Sequence, residues 1–286
     1  SASVVDSAID SIMSLIVAVA VWTPEYYDKE SLRFAEAYPE EVEILPPDRY
    51  QDIVILPALG CPNNQCSFCA FYKDRKFRIL SESEFSSHLQ SVCDLFGKSA
   101  EARQGIFLGS ASALSLSQRI LLLRLEAIEN TFGSRLRGVG AFWDPDRSPR
   151  RSQAEWRALQ ALGLRTAYIG LETGLADLRA SLGKSPKLGE LLEKSKAASA
   201  AGMRLGVMVL AGVGEASQLE AHIEESAHVI SAMKLSSKDI VFVSPLRGAR
   251  PEAQLHSEAE RLRRALRQQT DAKVAPYAAD RFHYYA

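Results

Sequence analysis

Cys61-Pro62-Asn63-Asn64-Gln65-Cys66-Ser67-Phe68-Cys69 gathers three of the chain's four cysteines into one short loop. The loop directly follows Asp52–Pro57, an apolar run rich in Ile and Val that reads as a buried strand. Parallel α/β folds place their chemistry in such loops at the C-terminal ends of strands, where sequence varies without disturbing the core. Further strand candidates follow at Gly105–Gly109, Leu136–Phe142, Thr166–Leu171, Leu205–Leu210 and Ile240–Ser244. Between them, apolar residues recur at helical spacing over Glu82–Phe96, Ser117–Phe132, Gln153–Leu162, Leu188–Ala201 and Leu219–Met233. Ser81 with Glu84 has the spacing of a capping box, and Gly133, Gly163 and Gly202 stand where helices stop.

Strands alternating with helices imply a parallel sheet with right-handed crossovers. Six such units fit between residues 51 and 268, short of the eight that close a regular barrel. The expected fold is therefore α/β: a partial, open (β/α)6 TIM-like barrel over residues 51–250. Residues 1–50 read as a mostly helical N-terminal extension that caps the open side or the bottom. Residues 251–286 read as a C-terminal helix and an aromatic flap with Phe282, His283, Tyr284 and Tyr285 near its end.

The balance of 47% hydrophobic and 24% charged residues is that of a soluble globular chain, and 286 residues suffice for one barrel. A formal charge of −1 offers no electrostatic reason to expect a nucleic-acid partner; Lys73, Arg75, Lys76 and Arg78, the densest basic cluster, read as a solvated face. The apolar stretch Leu15–Trp22 is too short to cross a bilayer, and Asp6 and Asp10 precede it where a signal peptide carries basic residues. It reads as a buried helix or strand. The expectation is a cytoplasmic protein without a membrane partner, in a compartment where cysteines serve metals or catalysis more than disulfides.

Three thiolates in one loop can face a common metal centre. Iron–sulfur clusters usually take four cysteines, and the fourth here, Cys93, falls in an apolar helix candidate without a partner nearby in sequence. A four-iron cluster with three protein ligands keeps one iron open to another ligand. Structural zinc wants four ligands, usually as two pairs, whereas His88, His222, His228, His256 and His283 are scattered. A disulfide with a spare thiol, or a non-enzymatic iron–sulfur or zinc protein, stays open on the residues alone.

The loop resembles that of the radical SAM superfamily, Cys-x3-Cys-x2-Cys with an aromatic before the last cysteine. Phe68 takes the aromatic place and the last pair keeps its spacing, while the first gap holds four residues instead of three. The resemblance spans roughly residues 50–250. It implies a [4Fe-4S] cluster on Cys61, Cys66 and Cys69, with S-adenosylmethionine (SAM) as ligand of the open iron. Gly109-Ser110-Ala111-Ser112 stands where the family carries a glycine-rich turn that meets the SAM amino group, with Ser and Ala where many members have a second glycine and an acid. Glu172, in Ile169–Gly174, resembles the fourth-strand acid that contacts the SAM ribose. Lys184 stands where related enzymes place a basic residue near the SAM carboxylate. Met208 lies in a segment like the one that flanks adenine, and Ser244 where the sixth strand completes the adenine pocket. Tyr72, Trp143, Asp144, Arg247 and Arg250 lie on the same rim as candidate substrate contacts. The implied activity is reductive cleavage of SAM to a 5′-deoxyadenosyl radical that abstracts hydrogen from a small-molecule substrate. Flavodoxin or ferredoxin would supply the electron, and the cluster would be oxygen-sensitive. Modification of a peptide or RNA is the alternative within the family.

Overall fold

The computed structural model describes residues 22–133, 135 and 137–284, and before them residues 9, 12–14, 16, 17 and 20. Helix α1 (Pro24–Ala37) begins at Thr23, whose hydroxyl accepts the Tyr26 N–H, with Pro24 in the first turn where its missing N–H costs nothing. Strand β1 (Ile53–Ile55) is fully buried, as its unbroken apolar run requires. A two-stranded antiparallel ribbon, β2 (Ala58–Leu59) and β3 (Arg78–Ile79), brackets the cysteine loop. Then follow α2 (Glu82–Phe96), β4 (Ile106–Leu108), α3 (Gln118–Phe132), β5 (Val139–Trp143), α4 (Gln153–Ala161) and β6 (Leu164–Glu172). The chain continues through α5 (Ala176–Ser181), α6 (Leu188–Ala200), β7 (Arg204–Ala211), α7 (Leu219–Met233), β8 (Ile240–Pro245), α8 (Glu252–Arg267) and β9 (Lys273–Pro276). Helix α2 carries the capping box read from the sequence, with both Ser81–Glu84 bonds made.

The main sheet runs β1-β4-β5-β6-β7-β8-β9, with every pair parallel. Strands that neighbour one another in chain order wind in one direction, as in a barrel, and β1 does not pair with β9, so the barrel stays open. All six expected strands are present, although Leu136 lies outside the described residues and β5 starts at Val139. A seventh, β9, lies inside the expected aromatic flap. Lys273-Val274-Ala275-Pro276 is too short, with a proline at its end, to show alternation; pairing with β8 is what makes it a strand. The expectation that Leu15–Trp22 is buried does not hold for its described members. Ile16, Val17 and Trp22 are exposed, because the core begins only with Phe34 and Ala37. Positions 15, 18, 19 and 21 of that stretch lie outside the described residues, as does Tyr285. Among the described residues no helix is long and apolar enough to cross a membrane.

An unclosed sheet leaves the outer edge of β1 with backbone groups to satisfy. Side chains do this. The Val54 N–H donates to the Tyr284 hydroxyl at 2.7 Å, and the Tyr38 hydroxyl donates to the Val54 carbonyl at 2.9 Å. The two hydroxyls lie 2.9 Å apart, so Tyr284 donates to Tyr38 and each oxygen is used once in each sense. One step further, the Leu56 N–H donates to His88 Nε2 at 2.8 Å, which leaves the proton on Nδ1 for the Ala37 carbonyl at 2.9 Å. Tyr277 and Tyr50 lace the same seam by donating to the carbonyls of Ile44 and Ala278. At the N-terminal ends of the strands the barrel is plugged by Arg49, buried against Asp52, Thr166 and Tyr168, with Gly140 leaving room for its guanidinium.

Both ring nitrogens of His88 are committed in the neutral form, and burial pushes its pKa down from 6.5 to about 4. A lowered histidine pKa gives stability that is complete above about 6.5 and lost as pH falls toward about 4. The full effect is about 3 kcal/mol. In urea unfolding of the apoprotein, the wild type should lose roughly 2 kcal/mol more than His88→Gln between about pH 7.5 and about pH 4.5.

Candidate functional site at the C-terminal ends of the strands

The cysteine loop is shaped by its own asparagines. Asn64 adopts a left-handed conformation (φ 45°), which asparagine tolerates better than most residues, and its N–H donates to Cys61 Sγ at 3.3 Å. Asn63 Nδ2 donates to Cys66 Sγ and to the Gly183 carbonyl, each at 3.1 Å, while its Oδ1 accepts from Arg147 at 2.8 Å. The longer gap between Cys61 and Cys66 is thus occupied by a turn whose N–H groups point at two of the three sulfurs. Gly183 (φ 79°) lets the end of α5 reach the loop, since a Cβ there would meet the Gln65 carbonyl oxygen at 2.5 Å. The Ser67 N–H donates to the Leu182 carbonyl across this contact.

Cys61, Cys66 and Cys69 are free, partly buried, and line one cavity of about 330 Å³. Of the residues singled out from the sequence, Phe68, Tyr72, Ala111, Ser112, Trp143, Asp144, Glu172, Lys184 and Met208 line it too. Gly109 and Ser110 shape the wall from behind. A Cβ on Gly109 would come within 2.6 Å of Leu56, and Ser110, at φ 79°, donates its hydroxyl to the Gly60 carbonyl. Ser244, Arg247 and Arg250 are not among the lining residues. Ser244 pairs with Leu210 in the sheet, Arg247 is exposed near Asp280, and Arg250 is held by Glu258 and the Gly214 carbonyl. Cys93 lies on α2, packed against the core. Glu43, Ile44, Asn63, Phe142, Tyr168 and Gly170 also line the cavity without having been singled out. Asn63 was in view as part of the loop, whereas Glu43 sits in a segment with no motif.

The charged part of the wall is a buried group of three. Lys184 Nζ lies 3.7 Å from Asp144 and 3.8 Å from Glu172. Burial works against charge on Lys184, but the two carboxylates outweigh it and carry its pKa above the ordinary value. Burial pushes Glu172 up, with Lys184 and Arg179 pulling against it. The Cys66 thiol is also pushed up by burial, opposed by Lys184 and by the Asn63 amide. Glu172 sits at φ 63°, beside a break in the β6–β7 register between Gly170 and Glu172. A non-glycine residue held there stores strain, a common feature of ligand-binding positions. A second cavity, of about 360 Å³, shares Asn63, Asp144 and Lys184 with the first. Among the described residues, three that line the first cavity each carry a fully buried polar atom without a hydrogen-bond partner: Tyr72 Oη, Trp143 Nε1 and Glu43 Oε1.

Among the described residues no three His, Cys, Asp or Glu side chains converge tightly enough to hold a single metal ion. A cuboidal cluster makes a different demand, one thiolate at each of several separated corners. Three free thiols on one loop, two of them already receiving N–H donors, fit that donor set.

No protein-family model matches the chain, and no curated protein matches it in sequence. Its fold does recur in solved structures. Methylornithine synthase aligns with a TM-score of 0.50 at 14% identity, over 94% of this chain and 84% of that one. The cobalamin-dependent S-adenosylmethionine radical enzyme OxsB aligns at 0.50 and 13% over 76% of this chain, and HydG, a maturase of the [FeFe]-hydrogenase, at 0.50 and 13% over 78%. The chain spans 32% of OxsB and 51% of HydG. At such identities the likeness is one of fold alone, the open parallel barrel described above.

Anaerobic loading with iron and sulfide should give about four irons per wild-type chain. Cys66→Ala should retain none of the cluster after desalting, while Cys93→Ala should match the wild type in iron content and in absorbance near ~400 nm.

Proposed function

We propose that the chain is a radical SAM enzyme, with Cys61, Cys66 and Cys69 holding a [4Fe-4S] cluster and the adjoining cavity binding SAM. The observation that carries this reading is a convergence. Three thiols from one loop and the buried Lys184–Asp144–Glu172 group open on the same cavity at the C-terminal ends of the sheet. When bound, the cluster supplies the electron that breaks the S–C5′ bond of SAM, giving methionine and a 5′-deoxyadenosyl radical.

The chain's own residues position, charge and shield. The Asn63 amide donates to Cys66, which favours the thiolate form that metal ligation needs, and the Asn64 N–H points at the sulfur of Cys61. Lys184 is the cavity's charged ammonium and its receptor for the SAM carboxylate. Its two carboxylate neighbours stand 3.7 and 3.8 Å away, beyond hydrogen-bond length, so its donors can still turn to a ligand. Glu172 is aimed into the cavity by its left-handed backbone and serves as acceptor for the ribose hydroxyls. Phe68, Phe142 and Met208 give the wall an apolar face that excludes water from a reactive intermediate. The substrate is a small molecule that gives up hydrogen from carbon, and a flavodoxin or ferredoxin delivers the electron.

The reconstituted protein with dithionite and SAM should release 5′-deoxyadenosine and methionine in equal amounts. Zinc in place of iron, with no SAM cleavage, would overturn the assignment. Lys184→Met should keep the wild-type iron content while weakening SAM binding by about tenfold or more. Equilibrium dialysis checks the binding and iron analysis the cluster.

A further inference from the structure

Asn63 lies in the four-residue gap between Cys61 and Cys66, and its side chain lines both cavities. It is 8% exposed, and both ends of its amide are engaged. Oδ1 accepts from Arg147 at 2.8 Å, while Nδ2 donates to the Gly183 carbonyl and to Cys66 Sγ, each at 3.1 Å. Two of these partners fix which way the amide faces. A guanidinium only donates and a carbonyl only accepts, so turning the amide over would set like against like at both. Arg147 and Gly183 therefore hold an N–H on the sulfur of Cys66.

Arg147 comes from the turn after β5, and it is exposed. The turn is a firm base. The Arg147 and Ser148 N–H groups donate to the Asp144 carbonyl at 3.2 and 3.0 Å, and Lys194 donates to the Ser148 carbonyl at 2.8 Å. The carboxylates beside it in sequence are occupied. Asp146 takes Arg179 at 2.9 Å and the Ser185 N–H at 3.2 Å, and Asp144 faces Lys184 and accepts the Asp146 N–H. An exposed guanidinium thus ends on a neutral amide, and that amide ends on a sulfur. Hydrogen bonds to the sulfurs are among the factors that set a cluster's reduction potential, because they favour the form that carries more negative charge.

We infer that Arg147 acts through Asn63 to ease the uptake of an electron by a cluster held on Cys66. The inference rests on the function proposed above. One electron arrives from a low-potential donor and adds one negative charge, with no bond made or broken, and the amide N–H stabilises that added charge. Arg147 is a positioning residue, since its own contact is with the amide that carries the effect to the sulfur.

The test uses the anaerobically reconstituted chain without SAM, as wild type, Asn63→Leu, Arg147→Met and the double variant. Each is poised with dithionite and redox mediators, and the reduced cluster is measured by electron paramagnetic resonance. At a given potential Asn63→Leu should lower the ratio of reduced to oxidised cluster about tenfold, a shift of about 59 mV for one electron. Arg147→Met should lower it about threefold with iron content unchanged. The double variant should match Asn63→Leu, because Arg147 has no route to the sulfur once the amide is gone. Additive losses would mean that Arg147 acts through space by its charge, and would overturn the inference. Salt gives the same decision should Asn63→Leu lose its iron. The field of an exposed charge is screened between about 0.05 M and about 0.5 M salt, whereas a shift carried by the amide persists. An Arg147→Met shift that vanishes with salt, or no shift at all, overturns the inference and leaves the proposed function standing if the wild type holds its iron. A wild type that takes up no cluster overturns both.

Discussion

The sheet stops before it closes, and much of the molecule answers to the edge of β1 that this exposes. A bare strand edge is a row of unmet donors and acceptors and an invitation to pair with another chain. Here the Val54 N–H and carbonyl are met by two tyrosine hydroxyls, from opposite ends of the sequence, that also bond to each other. His88 takes the next N–H along the strand, at Leu56, and passes its own proton to the end of α1. One set of hydrogen bonds thus satisfies the edge and anchors the two terminal segments. It also sets Tyr38–Tyr50 along the seam, and with it Glu43 in the cavity wall.

At the other rim the strands end in loops that must do without further sheet. The cysteine loop is held by the β2–β3 ribbon at its base, by Asn63 and Asn64 within, and by Gly183 and Leu182 from α5. Two backbone conformations that side chains normally avoid occur beside it, at Ser110 and Glu172. Both bear on the same cavity, one from behind the wall and one within it. The buried charges around Lys184 belong to this pattern. Two carboxylates near one ammonium make a group that is expensive to bury and poorly balanced, a condition more in keeping with ligand binding than with holding a fold together.

Legibility in the sequence followed the range of the interaction. The cysteine loop, Glu172, Lys184 and the six strands are local patterns, carried by spacing, composition or the residues just before and after, and the structure brings most of them to one cavity. Arg247 and Arg250 also follow a strand, but one is exposed and the other is taken up by Glu258, a partner eight residues away that only packing selects. Strand β9 was illegible because four residues carry no period of their own. The exposure of Ile16, Val17 and Trp22 was illegible for a related reason: an apolar stretch does not say whether any face remains for it to cover.

The sequence by itself determined the parallel α/β winding, the position of the cysteine loop behind the first strand, and the presence of three thiols where a fourth is missing. These depend on contacts within a few residues or on the period of apolar side chains. Only the tertiary structure decided that Tyr38 and Tyr284 would meet over β1, that Asn63 would reach Gly183, and that Glu43 would line the same cavity as Lys184. Those meetings join residues far apart in the chain, and nothing in the local pattern at either end specifies the other. The three cysteines were legible because their chemistry is written in one loop. The cavity around them was not, because its wall is assembled from β5, β6 and β7, the turn after β4, Lys184 beyond α5 and the segment before β1.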